Sequence, residues 1–371
     1  MHLISCRQAN RSGGSVPGDA EGPAVETSCK YTCELKSRIS LLNESNVISA
    51  EVAEYVNSVI DMLSSGSYEP QKLETLTTHL AMVKPGDCIL VHKSAIYPTT
   101  KVTFDSLGLK PVCADFNDPD SIRTVLKENS DIHTALVQYT RQALEDSYDM
   151  GQVLAEIRSL RPEIRILTDD NYAVMKVSRI GVELGADLSA FSCFKLLGPE
   201  GVGVVAGRKE LIERIEEMNY SGGSKVQGWQ AMEVLRGLVY APVALAIQAE
   251  VNEELVARLK NNSIPEVKDA FLANSQSKVL LVEFKEDIAK QVLAEAEKLG
   301  GLPNPVGAES KYETVPMFYR VSGTFRKADP TLENRMIRIN PNRAGADTII
   351  RILKESIERV KTCGCRSADA H

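Results

Sequence analysis

Between residues 88 and 206 short apolar runs alternate with segments of helical period, and that alternation restricts the fold more than any other feature of the chain. The runs are Cys88–His92, Pro111–Ala114, Thr134–Tyr139, Arg165–Leu167, Leu188–Phe191 and Val202–Ala206. They are apolar on successive residues rather than on every second one, as strands buried on both faces are. The segments between them, such as Ser121–Glu128 and Gly151–Ser159, repeat at helical spacing. Strand, helix, strand in that order predicts βαβ units: an α/β fold with a mostly parallel sheet covered by helices, all six runs being read as parallel strands. Helices at Glu210–Glu217 and Gln230–Leu235 close this part of the chain. Ligands of such sheets sit at the carboxyl ends of the strands, so the informative residues are those that directly follow each run.

Residues 1–40 carry Ser, Gly, Pro and Thr without a period and are expected to be a mobile tail. From Leu41 to Val83 the pattern is helical, with Val52, Tyr55, Val56, Val59, Ile60 and Leu63 on one face, until Ser64-Ser65-Gly66-Ser67 interrupts it. After Val251 the texture changes. Lys278–Phe284 and Met336–Asn340 read as strands, and Ile288–Leu299 and Thr348–Val360 as helices. The expected organisation is a tail over 1–40, a large α/β domain over 41–250 and a smaller α+β domain over 251–371.

Charge and cysteine usage exclude several classes of partner. Lys and Arg number 43 against 50 Asp and Glu, a net charge of −7 without blocks of one sign. A chain that binds nucleic acid or anionic lipid without sequence preference needs a basic face to replace counterions, so neither partner is expected. No run of about 18 apolar residues appears, and a membrane span is not expected. Met1–Gly18 lacks the apolar stretch of a signal peptide. The eight cysteines are scattered, and neither Cys29-x-x-x-Cys33 nor Cys363-x-Cys365 has a His pair to complete a metal site. Reduced thiols in the cytoplasm, and no metal, are the expectation.

Two strand ends carry the chemistry. Thr168-Asp169-Asp170-Asn171-Tyr172 follows the run Arg165–Leu167, and Ser192-Cys193-Phe194-Lys195-Leu196-Leu197-Gly198 follows Leu188–Phe191. An acidic pair and a lysine thus stand at the ends of two strands of one sheet, with Asp170 and Lys195 25 residues apart. Taken alone, Asp-Asp before a turn is usually a helix cap, and a lone Lys after a strand usually faces solvent. Together they suit pyridoxal phosphate, which needs an amine for a Schiff base and a carboxylate to pair with its pyridine nitrogen. A lysine in a mostly buried pocket is also the more available as nucleophile and proton carrier.

The stretch Thr168–Gly207 resembles the fold-type I pyridoxal phosphate enzymes, above all the cystathionine lyase and synthase group. Their pattern V-D-N-T-F, L-G-A-D and S-A-T-K is similar to T-D-D-N-Y, Leu184-Gly185-Ala186-Asp187 and Ser192-Cys193-Phe194-Lys195 here. Selenocysteine-synthase-like enzymes share the Lys-Leu-Leu-Gly around Lys195. From Lys84 to Arg343, about 70% of the chain, the sequence also resembles the YhfS-type group of class V aminotransferase-like proteins. The resemblance implies the fold-type I transferase fold, pyridoxal 5′-phosphate as cofactor, a small amino acid as substrate and a homodimer or dimer of dimers. It implies that Lys195 forms the Schiff base, that Asp170 rather than Asp169 pairs with the pyridine nitrogen, and that Ser192 holds phosphate. Phe194 stands where the family has a second phosphate-binding hydroxyl. Tyr97, in Tyr97-Pro98-Thr99-Thr100, would stack on the cofactor and act in catalysis, Gln138 would meet the ring oxygen, and Arg141 would meet the substrate. Arg338, in Met336-Ile337-Arg338-Ile339-Asn340, would hold the substrate carboxylate. Ser221-Gly222-Gly223-Ser224 leads into Arg236-Gly237-Leu238, which resembles a structural helix beside the family's site.

One part of the pattern is missing. A small-residue loop that cradles the phosphate at a helix N-terminus is expected 15–20 residues before Lys84–Asp87. Glu69-Pro70-Gln71-Lys72-Leu73 stands there instead, and the nearest candidate, with Ser67 as its phosphate ligand, lies about five residues earlier. Either the loop is shifted or the first 80 residues have diverged. The expected function is a lyase or transferase of amino-acid metabolism. The alternatives are transamination on the same site and a catalytically silent member of the fold that acts as a binding protein. A dinucleotide enzyme is disfavoured, because no Gly-x-Gly-x-x-Gly follows the first run.

Overall fold

The carboxyl ends of five strands that lie side by side set the geometry of the chain. We describe a computed structural model covering residues 2–5, 81–94, 96–139, 144, 146–199, 201–219, 225–273, 279–303 and 314–368. The strands of the larger sheet are β1 (His2–Ser5), β2 (Cys88–His92), β3 (Lys110–Ala114), β4 (Ile132–Gln138), β5 (Arg165–Asp169), β6 (Leu188–Ser192) and β7 (Val202–Gly207). Their order across the sheet is β3-β2-β4-β5-β6-β7-β1, parallel from β3 to β6. Helices α1 (Pro98–Ser106), α2 (Pro119–Glu128), α3 (Met150–Leu160) and α4 (Lys209–Met218) cover it. Asp118 caps α2 by accepting from the Asp120 N–H, and Asp149 caps α3 by accepting from the Gln152 N–H.

The unbroken apolar runs of β2, β4, β5 and β6 are explained by burial on two faces. Leu90, Ala135, Val137 and Ile166 point into one core with Ile122, Leu126, Leu154 and Ile157 of α2 and α3. Ile89, Val91, Leu136 and Leu167 point the other way, against Phe104, Leu107, Leu211 and Ile215. Alternate residues of one strand thus serve two cores, which removes the period-2 signal.

Two expectations for this sheet are corrected. Val202–Ala206 does not continue the parallel order, since β7 pairs antiparallel with β6 from Leu188↔Gly207 to Ser192↔Gly203. Nine residues link the two strands, too few for a crossover helix, so the chain turns back through Gly201 at φ 71°. Residues 2–5, expected in a tail without regular structure, form β1 and pair antiparallel with β7. Four residues at a sheet edge are too short to show a period.

Helix α5 runs from Gly228 to Lys260, where the sequence predicted a helix over 230–235. It crosses the expected domain boundary at 250/251 without interruption. It is long and apolar enough by composition to cross a membrane, although it packs one face into the protein through Val234, Gly237, Ala241 and Leu245. Beyond it the second sheet has the order β10-β11-β9-β8, with β8 (Val267–Leu272), β9 (Leu280–Phe284), β10 (Met317–Arg320) and β11 (Met336–Asn340), all antiparallel. Helices α6 (Ala289–Lys298), α7 (Gly323–Ala328), α8 (Leu332–Arg335) and α9 (Ala346–Ala368) complete the α+β part. Residues 41–80, with Ser67 and Glu69–Leu73, and Arg141 with 220–224 lie outside the described residues; 81 and 82 form a turn.

Candidate active site

Four neighbouring strands of the central sheet, β2, β4, β5 and β6, lead at their carboxyl ends into the candidate site residues. Asp170 follows β5 and is fully buried, accepting at Oδ2 from the Gly181 N–H (3.0 Å) and the Thr168 hydroxyl (3.2 Å). A side chain at Gly181 would overlap Thr168, with 1.9 Å from its Cβ to Oγ1, so only glycine lets this N–H reach the carboxylate. The other oxygen, Oδ1, is buried without a hydrogen-bond partner among the described residues. Burial drives the Asp170 carboxyl up to about 6, against hydrogen bonds from Ser189, Gly181 and Thr168 and with a further push from Asp169.

Lys195 lies one strand away. It stands on a 3₁₀ turn, Cys193–Leu196, that starts where β6 ends, and it is 6% exposed. The turn closes through Leu197 in the left-handed region (φ 60°) and a Gly198 N–H to Cys193 carbonyl bond of 2.9 Å. Gly198 has no room for a side chain, since a Cβ would stand 2.8 Å from the Cys193 carbonyl oxygen. Gly237 of α5 is equally tight, with 2.7 Å from its Cβ position to the Gly198 nitrogen, so the helix lies directly on the lysine turn. The Lys195 ammonium rests 3.8 Å above the Tyr172 ring centroid and 5.4 Å from that of Phe194.

Tyr97 is the N-cap residue of α1, just after β2, and is 37% exposed. Its hydroxyl is held above the ordinary phenol range, first by the Tyr172 phenol and then by burial and Asp169, against the pull of Lys195 and Arg338. Tyr97 is thus within electrostatic reach of Tyr172, Lys195, Asp169 and Arg338. Arg338 reaches it from β11 of the second sheet, its guanidinium stacked 4.2 Å from the Tyr319 ring centroid and its Nε donating to the Arg320 carbonyl (2.9 Å). Gln138, at the end of β4, donates to Asp169 Oδ2 (3.2 Å), and Asp169 Oδ1 accepts from the backbone and side-chain amides of Asn171. Asn171 in turn accepts from the N–H of buried Ser192 (2.8 Å). Asp170, Lys195, Ser192, Gln138 and Tyr97 therefore sit at or just beyond the strand ends, and Arg338 acts on Tyr97 electrostatically from the second sheet, whereas Ser67 and Arg141 lie outside the described residues.

Sequence reading assigned no role to several residues that shape this site. Tyr172 and Phe194 line the lysine with aromatic faces, and the one available signal was their place inside the two motifs. Buried His92 and Asp146, with half-buried Ser94, form a hydrogen-bonded trio between β2 and Tyr97. His92 Nδ1 accepts from the Phe116 N–H (3.0 Å), so Nε2 carries the proton donated to Asp146 (2.8 Å), and the Ser94 hydroxyl donates to the same carboxylate (3.1 Å). His92 and Asp146 are 54 residues apart, and nothing in the sequence ties them together. Among the described residues there is no group of three or more His, Cys, Asp or Glu able to hold a metal ion.

Comparison with known proteins decides the family. A model of the YhfS-like C-terminal domain matches residues 253–353, and one of class V aminotransferases matches residues 76–234. YhfS of Escherichia coli K12 is 56% identical over 280 residues, 76% of this chain and 77% of that protein. The chain belongs to the YhfS-like family. The crystal structure of the pyridoxal-5′-phosphate-dependent E. coli YhfS superimposes with a TM-score of 0.73 over 77% of this chain and 78% of that one, at 55% identity. A cystathionine γ-lyase, CalE6 of Micromonospora echinospora, gives 0.65 at 17% identity over 77% and 80% of the two chains, a likeness of fold. A probable cysteine desulfurase of Ureaplasma parvum is 28% identical over 189 residues, 48% of this chain and 46% of that protein. The fold is that of the fold-type I enzymes, and the YhfS-like cofactor is pyridoxal 5′-phosphate. The site fits it. The unpartnered Asp170 Oδ1 is a buried acceptor suited to a protonated ring nitrogen, and Lys195 offers the amine on the adjacent strand.

Proposed function

We propose that this YhfS-like chain is a cytoplasmic enzyme of amino-acid metabolism in which Lys195 holds the cofactor covalently. Its substrate is a small amino acid, processed by elimination or replacement. The observation that carries the reading is the buried, half-satisfied carboxylate of Asp170 beside a buried lysine. When bound, the cofactor supplies an electron sink for negative charge developing at the substrate α-carbon.

The chain's own residues do the rest. Asp170, given a cationic donor at Oδ1, is held as the carboxylate and keeps that donor protonated. Arg338 presents a planar fork that binds a carboxylate through two parallel hydrogen bonds, and its stack on Tyr319 fixes the fork's plane. Lys195, freed as its amine when the substrate amine takes its place on the cofactor, would take the α-proton and return it at a later step. Tyr97, with its hydroxyl held above the ordinary phenol range, keeps its proton at neutral pH and offers a neutral hydrogen-bond donor to an oxygen of the substrate. Transamination is the second reading, favoured by the class V aminotransferase match over residues 76–234.

Absorbance spectroscopy tests the proposal. The purified protein with added pyridoxal phosphate should turn yellow with a band near ~420 nm, and Lys195→Ala should lack that band. Borohydride reduction followed by peptide mapping should place the label on Lys195. A colourless wild-type protein that ignores the added cofactor would overturn the enzyme reading and leave a silent binding protein. A panel of amino acids then separates the reactions: elimination releases a side-chain fragment and ammonia, whereas transamination consumes a keto acid.

A further inference from the structure

A buried ammonium ordinarily sits against a carboxylate, and an aromatic face is the alternative. Lys195 is buried, and the contacts described for its Nζ are two ring faces, Tyr172 at 3.8 Å and Phe194 at 5.4 Å from the centroids. The two rings come from different loops. Phe194 precedes Lys195 on the turn that follows β6, whereas Tyr172 stands on the turn that leaves β5, two residues past Asp170. The nearer ring thus belongs to the loop of the buried carboxylate. That loop is fixed by its own backbone. The Asp170 carbonyl accepts from the N–H groups of Ala173 (2.9 Å) and Val174 (3.3 Å), and the Ala173 carbonyl accepts from the Lys176 N–H (2.8 Å). Met175 is held in the left-handed region (φ 62°), which a non-glycine residue keeps only where its surroundings impose it. Asn171, between Asp170 and Tyr172, ties the loop to the end of β6 by accepting from the Ser192 N–H (2.8 Å).

We propose that Tyr172 is a positioning residue for Lys195: its ring face seats the lysine ammonium whenever the side chain is released from the cofactor, and so favours that release. The inference rests on the reading of Lys195 as the lysine that holds the cofactor. A released lysine has four side-chain torsions to order, and in a mostly buried site its charge also needs a partner. A cation over an aromatic face supplies one, worth roughly 2- to 30-fold in population. An interaction made only in the released state shifts the equilibrium towards that state by the same factor. The substrate amine therefore displaces Lys195 more readily than it would without the ring. The same seat then holds the ammonium that Lys195 becomes on taking the α-proton, between the ends of β5 and β6, where the proton can be returned. The Tyr172 phenol is in addition within electrostatic reach of the Tyr97 hydroxyl, so face and hydroxyl serve different neighbours. Lys176 Nζ lies farther from the same ring, 5.5 Å from its centroid, and has to be told apart from Lys195 in a test.

Two measurements on the full chain test this. The first is nuclear magnetic resonance of the cofactor-free protein carrying ¹³C-labelled lysine. Ring currents move a methylene held over an aromatic face upfield, so one lysine Cε resonance should stand upfield of the rest. Lys195→Arg should remove it and Lys176→Arg should leave it. Tyr172→Leu should return it towards the other lysines, whereas Tyr172→Phe, which keeps the face and loses the hydroxyl, should preserve it. The second uses protein loaded with pyridoxal phosphate and titrated with methylamine, then reduced with borohydride. Peptide mapping reads the fraction of Lys195 still labelled. Tyr172→Leu should need about tenfold more methylamine to halve the label, and Tyr172→Phe should stay within about threefold of wild type. The label without methylamine should not fall in Tyr172→Leu, whereas general damage to the site would lower it. Circular dichroism checks folding, and Tyr172→Met carries both arms if Tyr172→Leu does not fold. An upfield resonance that is absent, or that survives Tyr172→Leu, overturns the proposal. So does a methylamine midpoint in Tyr172→Leu that is unchanged or lower, or a label lost before methylamine is added. A wild type that captures no cofactor sinks the proposed function instead, and the resonance arm then decides the seat alone.

Discussion

Asp170, the residue proposed to pair with the cofactor ring, carries a stability cost in the cofactor-free protein. Its folded carboxyl titrates near 6, against an ordinary value of 3.8, with burial as the main cause. Below about pH 3.8 the group is protonated in both folded and unfolded chains and carries no penalty. As pH rises through 6 the folded protein must ionise a buried acid, and stability is lost, on the order of 3 kcal/mol by linkage. The cofactor-free protein should therefore melt lower at pH 7.5 than at pH 5, to the extent that Asp170 sets the slope. Asp170→Asn should flatten that slope and raise the melting temperature at pH 7.5, while weakening cofactor binding at least tenfold. Differential scanning calorimetry across pH, with and without pyridoxal phosphate, measures both. The opposite ordering, with Asp170→Asn the less stable at pH 7.5, would show that the carboxylate already has a cationic partner in the free protein.

Legibility in the sequence depended on how an element is stabilised. Strands β2, β4, β5 and β6 stood out because both faces are buried and their runs lack gaps. β8, Val-Lys-Asp-Ala-Phe-Leu, and β10, Met-Phe-Tyr-Arg, did not, because β8 mixes charged with apolar residues, β10 has four residues, and both are held by pairing with β9 and β11. Helix α5 was foreseen for six residues of its length, since its apolar outer face hides the amphipathic period beyond Leu235. The Asp170 and Lys195 motifs are local and could be read, whereas the Asp146–His92–Ser94 trio and the Gly237–Gly198 contact join distant segments and could not. The Gly237 contact makes a direct prediction. Gly237→Ala forces α5 away from the lysine turn, so it should cost about 1–3 kcal/mol in urea denaturation. It should also reduce the ~420 nm absorbance of the loaded protein, through displacement of the lysine. A second element-scale test concerns Asp187, which ties β5, α3 and β7 together. Its Oδ2 accepts from the Ile166 N–H (2.6 Å) and pairs with Arg158 (2.5 Å), and its Oδ1 pairs with Arg208 (2.8 Å). Removing a buried carboxylate from two guanidinium partners costs about 3–5 kcal/mol, so Asp187→Ala should approach the stability limit of the protein.

At the scale of the whole molecule, α5 belongs to both parts of the chain. Val234, Ala241 and Leu245 pack with Phe191, Leu196 and Val204 beside the lysine turn. Leu255 and Leu259, on the same helix, are buried in the second core with Ile264, Leu280, Val282, Phe318 and Ile349. Between these halves, Gln248 hydrogen-bonds Asn340, two residues beyond Arg338 on β11, so the helix also registers the second sheet against the first. A cut at 250/251 would therefore divide a helix rather than a linker. The consequence can be tested with fragments. Residues 245–371 keep Leu255 and Leu259, whereas residues 263–371 lose both. Each buried leucine is worth about 2–5 kcal/mol, and the pair together approaches the 5–15 kcal/mol that a domain has in total. The longer fragment should unfold in one cooperative transition in urea, and the shorter one should show none. Cooperative unfolding of residues 263–371 would mean that the second core closes without the helix, and that Arg338 is placed by its own sheet alone.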